Sequence, residues 1–274
     1  LLPQKELSNL IFAAIIRDTR GLKLQDNDRY NFFPATPFYT ITWVLEGELF
    51  NVIENKNIEK QAFPKLFINA PQIYPRISWS AGDICAITLS FFPDAWQKLT
   101  NLPPEDATSI FTTIDKIENK NLKLLFERML ELGDYKIIFE TLQNELIPYW
   151  NERRENNNKS LNYIKDWAAH IFAKTAVSHA GKSVRQIQRH IKNLTGQTRR
   201  DIENFIKLEE LFAKAINSYP NNSLANLSFE SGFSDQSHMG RMVKKMLGKS
   251  PAAIDELIAT DERYWVYRLL AQIF

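Results

Sequence analysis

Among 274 residues the chain has one cysteine, Cys85, with only four histidines and nine glycines. A lone thiol makes no internal disulfide and gives a metal one ligand at most, so a disulfide framework and a thiolate zinc site are both excluded. Cys85 lies in ICAITLSFF, away from the flanking bases that lower a thiol pKa, which argues against a nucleophile. His170, His179, His190 and His238 form no His-x-His or His-x-x-x-His pair. No metal and no cofactor is therefore expected. The glycine-rich phosphate and dinucleotide motifs are missing, as is the Gly-x-Ser-x-Gly elbow, so no catalytic residue is assigned and the chain is not expected to be an enzyme. The early apolar run Leu10 to Ile16 is seven residues long and is followed by Arg17 and Asp18. A membrane helix needs roughly 20. A cytoplasmic protein is the expectation, and an opening on Leu1 suits a trimmed N-terminus.

What is present is a globular composition, 44% hydrophobic and 24% charged, with an uneven charge distribution. Residues 1–160 hold 18 Lys+Arg against 21 Asp+Glu, or −3, and residues 161–274 hold 16 against 11, or +5, which together give the net +2. A basic second half suits a negatively charged partner.

The periodicity changes along the chain. Phe12 to Ile16, Phe38 to Leu45, Glu48 to Ile53, Lys65 to Asn69 and Ile84 to Phe92 read as strands, with a hairpin expected around Glu46-Gly47. They predict a small antiparallel barrel or sandwich. Leu122, Leu125, Phe126 and Met129, then Ile138, Leu142 and Leu146, recur at helical spacing on either side of Gly133-Asp134, which predicts an antiparallel helix pair over 121–151. The run ERRENNNKS at 152–160 has no apolar residue and is the expected linker. The resulting scheme is α+β: a module at 1–151 (β-rich 1–92, helices 94–151) and an all-α domain at 161–274.

The all-α part contains a repeat. At an offset of 52 residues, Ile187, Arg189, Ile191, Lys192, Leu194 and Gly196 have Met239, Arg241, Val243, Lys244, Met246 and Gly248 as counterparts. Gly181 and Ser183 align with Gly232 and Ser234 at an offset of 51. Serine caps a helix start and glycine suits the left-handed closing position. Each copy thus predicts a short helix with one apolar stripe. The outer face is Arg185, Gln188, Arg189 and Lys192 in the first, and Ser237, Arg241 and Lys244 in the second. Ser183 to Arg200 has five bases and no acid; Gln236 to Lys249 has four and none. Such a face suits a DNA major groove, where arginine bonds guanine, glutamine pairs with adenine and lysine neutralises phosphate.

The segment SLANLSFESGFSDQSHMGRMVKKMLGKSPAAI resembles the second helix-turn-helix of AraC/XylS-type transcription regulators, and GKSVRQIQRHIKNLTGQTRRDI resembles the first. Upstream, WAAHIFAKTAVSHA departs from the family pattern, and Gly240 inside the second reading helix has no sequence-level reason. The resemblance covers residues 160–260 well. It implies two helix-turn-helix units on one long helix, Thr198 to Asn217, reading successive major grooves. Carried over by position, base contacts fall to Arg185, Gln188, Arg189, Gln236, Ser237 and Arg241, and phosphate contacts to Lys192, Arg199, Arg200, Lys244 and Lys245. Double-stranded DNA and RNA polymerase are the implied partners, for activation or repression. The β-rich half is expected to sense a small molecule or a protein, with Trp43, Arg76 and Trp79 as pocket candidates, and the helix pair is a candidate homodimer interface. Two other readings remain open at this point, a barrel enzyme with a helical appendage and a protein-interaction module that binds no DNA.

Overall fold

A computed structural model describes residues 1–54, 57–102, 111–153, 161, 163–178, 183–218 and 236–273. The first hundred residues form two four-stranded antiparallel sheets. Strands β1 (Ile11–Asp18), β8 (Cys85–Phe91), β3 (Tyr39–Glu46) and β6 (Leu66–Asn69) make one, in that order; β2 (Tyr30–Phe33), β7 (Arg76–Ser80), β4 (Leu49–Glu54) and β5 (Ile58–Ala62) make the other. The fold class is α+β, with a sandwich-like pair of sheets followed by helices.

The expected hairpin at Glu46-Gly47 does not form. β3 pairs with β6 and β8, while β4 pairs with β5 and β7, so the chain turns a corner from one sheet to the other. Gly47 makes the corner possible: its φ is +78°, and a Cβ there would stand 2.2 Å from the carbonyl oxygen of Asp83. Only glycine tolerates both conditions.

Alternation along β3 and β8 gives each face of the first sheet its task. Tyr39, Ile41 and Trp43 with Ile87, Leu89 and Phe91 are buried on the outer face. They meet α1 (Pro93–Thr100), α2 (Lys120–Leu132) and α3 (Tyr135–Arg153). Trp96 stacks on Tyr39 at 5.8 Å, and the Trp43 indole N–H donates to the Phe126 carbonyl at 2.8 Å. The expected helix pair is α2 and α3, closed between them by Gly133 in the left-handed conformation at φ 66°. Thr40, Thr42, Thr88 and Ser90 point the other way, into the space between the sheets.

The later helices are α4 (Ile164–Ser178), α5 (Val184–Thr195), α6 (Arg199–Ser218), α7 (Gln236–Leu247), α8 (Pro251–Thr260) and α9 (Trp265–Ile273). Although its sequence departs from the family pattern, α4 buries a regular stripe, Ile164, Trp167, Ala168, Ile171 and Thr175. Most of the expected linker and the segment before the second repeat helix, residues 219–235, lie outside the described residues. Specific bonds join the helices to the sheets: Trp167 Nε1 to Asp94 Oδ1 at 2.8 Å, Gln197 Nε2 to the Pro37 carbonyl at 2.8 Å, and the Ala35 amide to the Met246 carbonyl at 2.8 Å.

Candidate nucleic-acid interface and effector cavity

Helix α5 is bounded as its sequence requires. Ser183 is extended at the N-cap, its amide donating to Gln186 Oε1 at 2.9 Å, and Gly196 closes the helix at φ 74°. The Ser183 hydroxyl lies 3.2 Å from the same Gln186 oxygen, and the two residues form a capping box at the start of the helix. Ile191 is buried and Ile187 and Leu194 are half-buried, which turns Arg185, Gln188, Arg189 and Lys192 to the outside, where all four are exposed.

Helix α7 repeats the plan. Met239, Val243 and Met246 are buried, with Met242 and Leu247 beside them. Ser237, Arg241 and Lys244 are exposed, and Arg241 Nε donates to the Ser237 carbonyl at 3.2 Å. The Gln236 side chain and the second cap, Ser234, lie outside the described residues. Gly248 closes α7 at φ 82°. Arg199 and Arg200 are exposed at the start of α6, where Arg199 pairs with Glu203 at 2.8 Å and lies over the Phe172 ring. Lys245 is half-buried, 3.6 Å from Asp201 and over the Tyr74 ring at 5.3 Å. Helix α6, between α5 and α7, buries Ile202, Phe205, Leu208, Leu211 and Phe212. No side chain is described for Ile216.

A cavity of about 190 Å³ opens between the two sheets and is closed by helices. Its inner wall is a layer of paired hydroxyls and amides: Thr42 with Thr88 at 2.9 Å, Asn69 donating to Thr40 at 3.3 Å and Asn31 donating to Ser78 at 3.3 Å. Phe33, Phe63 and Phe67 add aromatic surface, and Phe205, Leu208, Phe212, Trp265 and Leu270 bring apolar side chains from α6 and α9. Arg17 and Arg76 are its cations. Desolvation by burial lowers the Arg76 pKa. Arg17 Nη1 is held by Glu262 at 2.8 Å, and Arg17 Nε and Gln72 Oε1 are buried with no hydrogen-bond partner among the described residues. Glu209 of α6 also reaches the lining. It accepts the Ile164 and Lys165 amides at 2.7 and 3.0 Å, and burial pushes its carboxyl up to about 7.

Of the three pocket candidates only Arg76 lines this cavity. Trp43 is fully buried on the opposite face of its strand, against Phe126, and Trp79 lies on the far face of the second sheet, with Lys60 Nζ 3.2 Å from its ring centre. Strand parity accounts for both, since each tryptophan alternates with a residue that does face the cavity, Thr42 and Ser78. Arg17, Gln72, Glu209 and Trp265 were not identified from sequence, because they lie on four separate segments and share no spacing. Cys85 is buried, and desolvation raises its thiol pKa.

Residues 177–256 match the family model described as a helix-turn-helix domain, a span that includes both α5 and α7. This part of the chain is an AraC-type helix-turn-helix domain. The domain gives the chain a DNA-binding part. No curated protein matches the sequence. Similar solved structures include an apo ToxT variant from Vibrio cholerae, with 10% identity, TM-score 0.39 and coverage of 93% of this chain and 98% of that one. ToxT from Vibrio cholerae bound to (E)-4-(8-methylnaphthalen-1-yl)but-3-enoic acid is another, with 11% identity, TM-score 0.41 and coverage of 90% and 99%. The AraC-like transcriptional activator CuxR has 13% identity and TM-score 0.27, over 76% of this chain and 87% of that one. Among the described residues no helix is long and apolar enough to cross a membrane.

Proposed function

We propose that α5 and α7 read two successive major grooves on one face of a DNA duplex, about 34 Å apart. The observation that carries this reading is the repeated geometry: two short helices with buried apolar stripes, each turning an arginine at the same repeat position, Arg189 and Arg241, to the outside. Arg185, Gln188 and Arg189 of α5, with Gln236, Ser237 and Arg241 of α7, are assigned to base edges. Lys192, Arg199, Arg200, Lys244 and Lys245 are assigned to phosphates, which give affinity without sequence information. Titration of the full chain against a mixed-sequence duplex at several salt concentrations tests it. Binding that weakens linearly with the logarithm of salt supports the reading, and salt-independent binding or none removes it.

In the same proposal residues 1–151 are the sensory module and residues 161–274 the DNA-binding part, in a cytoplasmic regulator with no catalytic role. The effector assigned to the cavity is a small molecule with an apolar body and one acidic group, because Arg17 and Arg76 share the lining with aromatic and aliphatic side chains, while the hydroxyls and amides of the inner wall are paired with one another. Its lining comes from both parts of the chain, so a molecule bound there interacts with their relative placement. Calorimetric titration with decanoate and with the neutral decanol distinguishes this class, the acid binding more tightly if the arginines take part. RNA polymerase is the assigned downstream partner. Self-association is assigned to α2 and α3, where Leu124 and Ile137 are exposed.

A further inference from the structure

We infer that the end of the chain, α9 with the turn Glu262–Tyr264 before it, is an autoinhibitory strap that holds the second reading helix against the β-sheets, and that its release raises DNA affinity. The inference rests on the two-groove reading above. The segment lies beyond the matched helix-turn-helix domain, which stops at residue 256.

The strap grips the sheets through charge and aromatic contacts. Glu262 sits between Arg17 of β1 at 2.8 Å and Arg268 at 2.6 Å. The Trp265 indole N–H donates to Asn31 of β2 at 2.8 Å, and Tyr264 stacks on Phe32 with ring centres 4.9 Å apart. It also grips the reader, since the buried Tyr267 hydroxyl donates to the Leu247 carbonyl, the last residue of α7, at 3.1 Å. One element thus touches the first sheet, the second sheet and the end of the reading helix.

That end of α7 is tied to the sheets a second time. The Ala35 amide donates to the Met246 carbonyl, and a Cβ on Gly248 would stand 3.2 Å from the Pro75 ring. The consequence falls on Lys245, one of the cations assigned to phosphate. It is half-buried over Tyr74 of the β-rich half, a contact that exists only in the docked arrangement and holds it away from DNA, whereas its neighbour Asp201 lies on α6 of the same helical part. The Glu262 side chain is 36% exposed, so the bond to Arg17 is open to water and suited to release. Arg17 and Trp265 also line the cavity, which puts the grip of the strap where an acidic effector would enter.

The test uses the full chain and a mixed-sequence duplex. Trp265→Ala loosens the strap without changing charge. Glu262→Lys sets a cation against Arg17 and Arg268, and Glu256→Lys, on an exposed position of α8, controls for its charge. Amide exchange over residues 262–273 reports release, and salt-dependent titration reports binding. Trp265→Ala is expected to speed exchange in α9, to raise affinity about five- to tenfold and to steepen the salt slope by about one unit as Lys245 becomes available. Glu262→Lys is expected to exceed Glu256→Lys in both respects. The strap is overturned if exchange rises while Trp265→Ala binds DNA no better, if Glu262→Lys only equals its control, or if neither variant frees α9. If exchange rises and no form of the chain binds DNA, the two-groove reading itself has failed.

Discussion

Arg189 and Lys244 occupy exposed positions on similar helices, yet the two assignments make different demands. Arg189→Ala should cost about 1–3 kcal/mol on a cognate site and relax its sequence preference, because a bidentate base contact is lost. Lys244→Ala should weaken all sequences alike and flatten the salt slope by about one unit. Competition titration with cognate and scrambled duplexes separates the two, and unchanged selectivity in the arginine variant would remove Arg189 from the base-reading set. Gly240 behaves differently. Among the described residues a Cβ at this position of α7 meets nothing within 4 Å, so Gly240→Ala should stabilise the protein by about 0.5–1 kcal/mol through helix propensity, visible as a higher midpoint in chemical denaturation. A loss of stability there would show that the glycine is needed for its backbone. At this scale the exposed face of α5 and of α7 was legible because outward-facing bases on a short helix obey the helix period. The pocket was not, because whether Trp43 or Thr42 faces the cavity depends on which sheet face the helices cover.

Among the elements, the contact between α4 and α6 depends on Glu209. Its carboxyl is pushed up to about 7 from 4.5 by burial, with Asp166 and Glu210 adding like charge and the Ile164 and Lys165 amides opposing the shift. The folded state therefore binds a proton that the unfolded chain has already released between those values. The associated stability is fully present below about pH 4.5 and is lost as the pH rises through about 7. Melting temperatures measured from about pH 5 to about pH 8 should fall more steeply for the parent than for Glu209→Gln, which keeps one of the two acceptor oxygens and does not ionise. Equal slopes would contradict this account. The strands show where element-level reading stops. β1, β3, β4, β6 and β8 were visible as alternating or apolar runs. β5, with the sequence IEKQA, is an exposed edge strand without an apolar face, and β2 is four residues long. The corner at Gly47 looked like a hairpin because alternation marks a strand without naming its partner, which here depends on the approach of Asp83 from a distant segment.

For the whole molecule, the second half carries the excess positive charge and both repeated helices, α5 and α7, while the cavity is built from both halves. That division was legible in the charge split and in the 52-residue repeat. The joining of the halves through Ala35, Gln197 and Glu262 was not, because each bond spans more than 150 residues of sequence. Two readers joined by one rod make a geometric demand that neither makes alone, since both must meet the same face of the duplex. Selection from a random-sequence duplex library by the full chain, followed by footprinting of the winners, measures that demand. The account predicts two short conserved blocks with centres about 10–10.5 base pairs apart, protected on one face. A single block, or two whose spacing varies freely between selected sites, would contradict it.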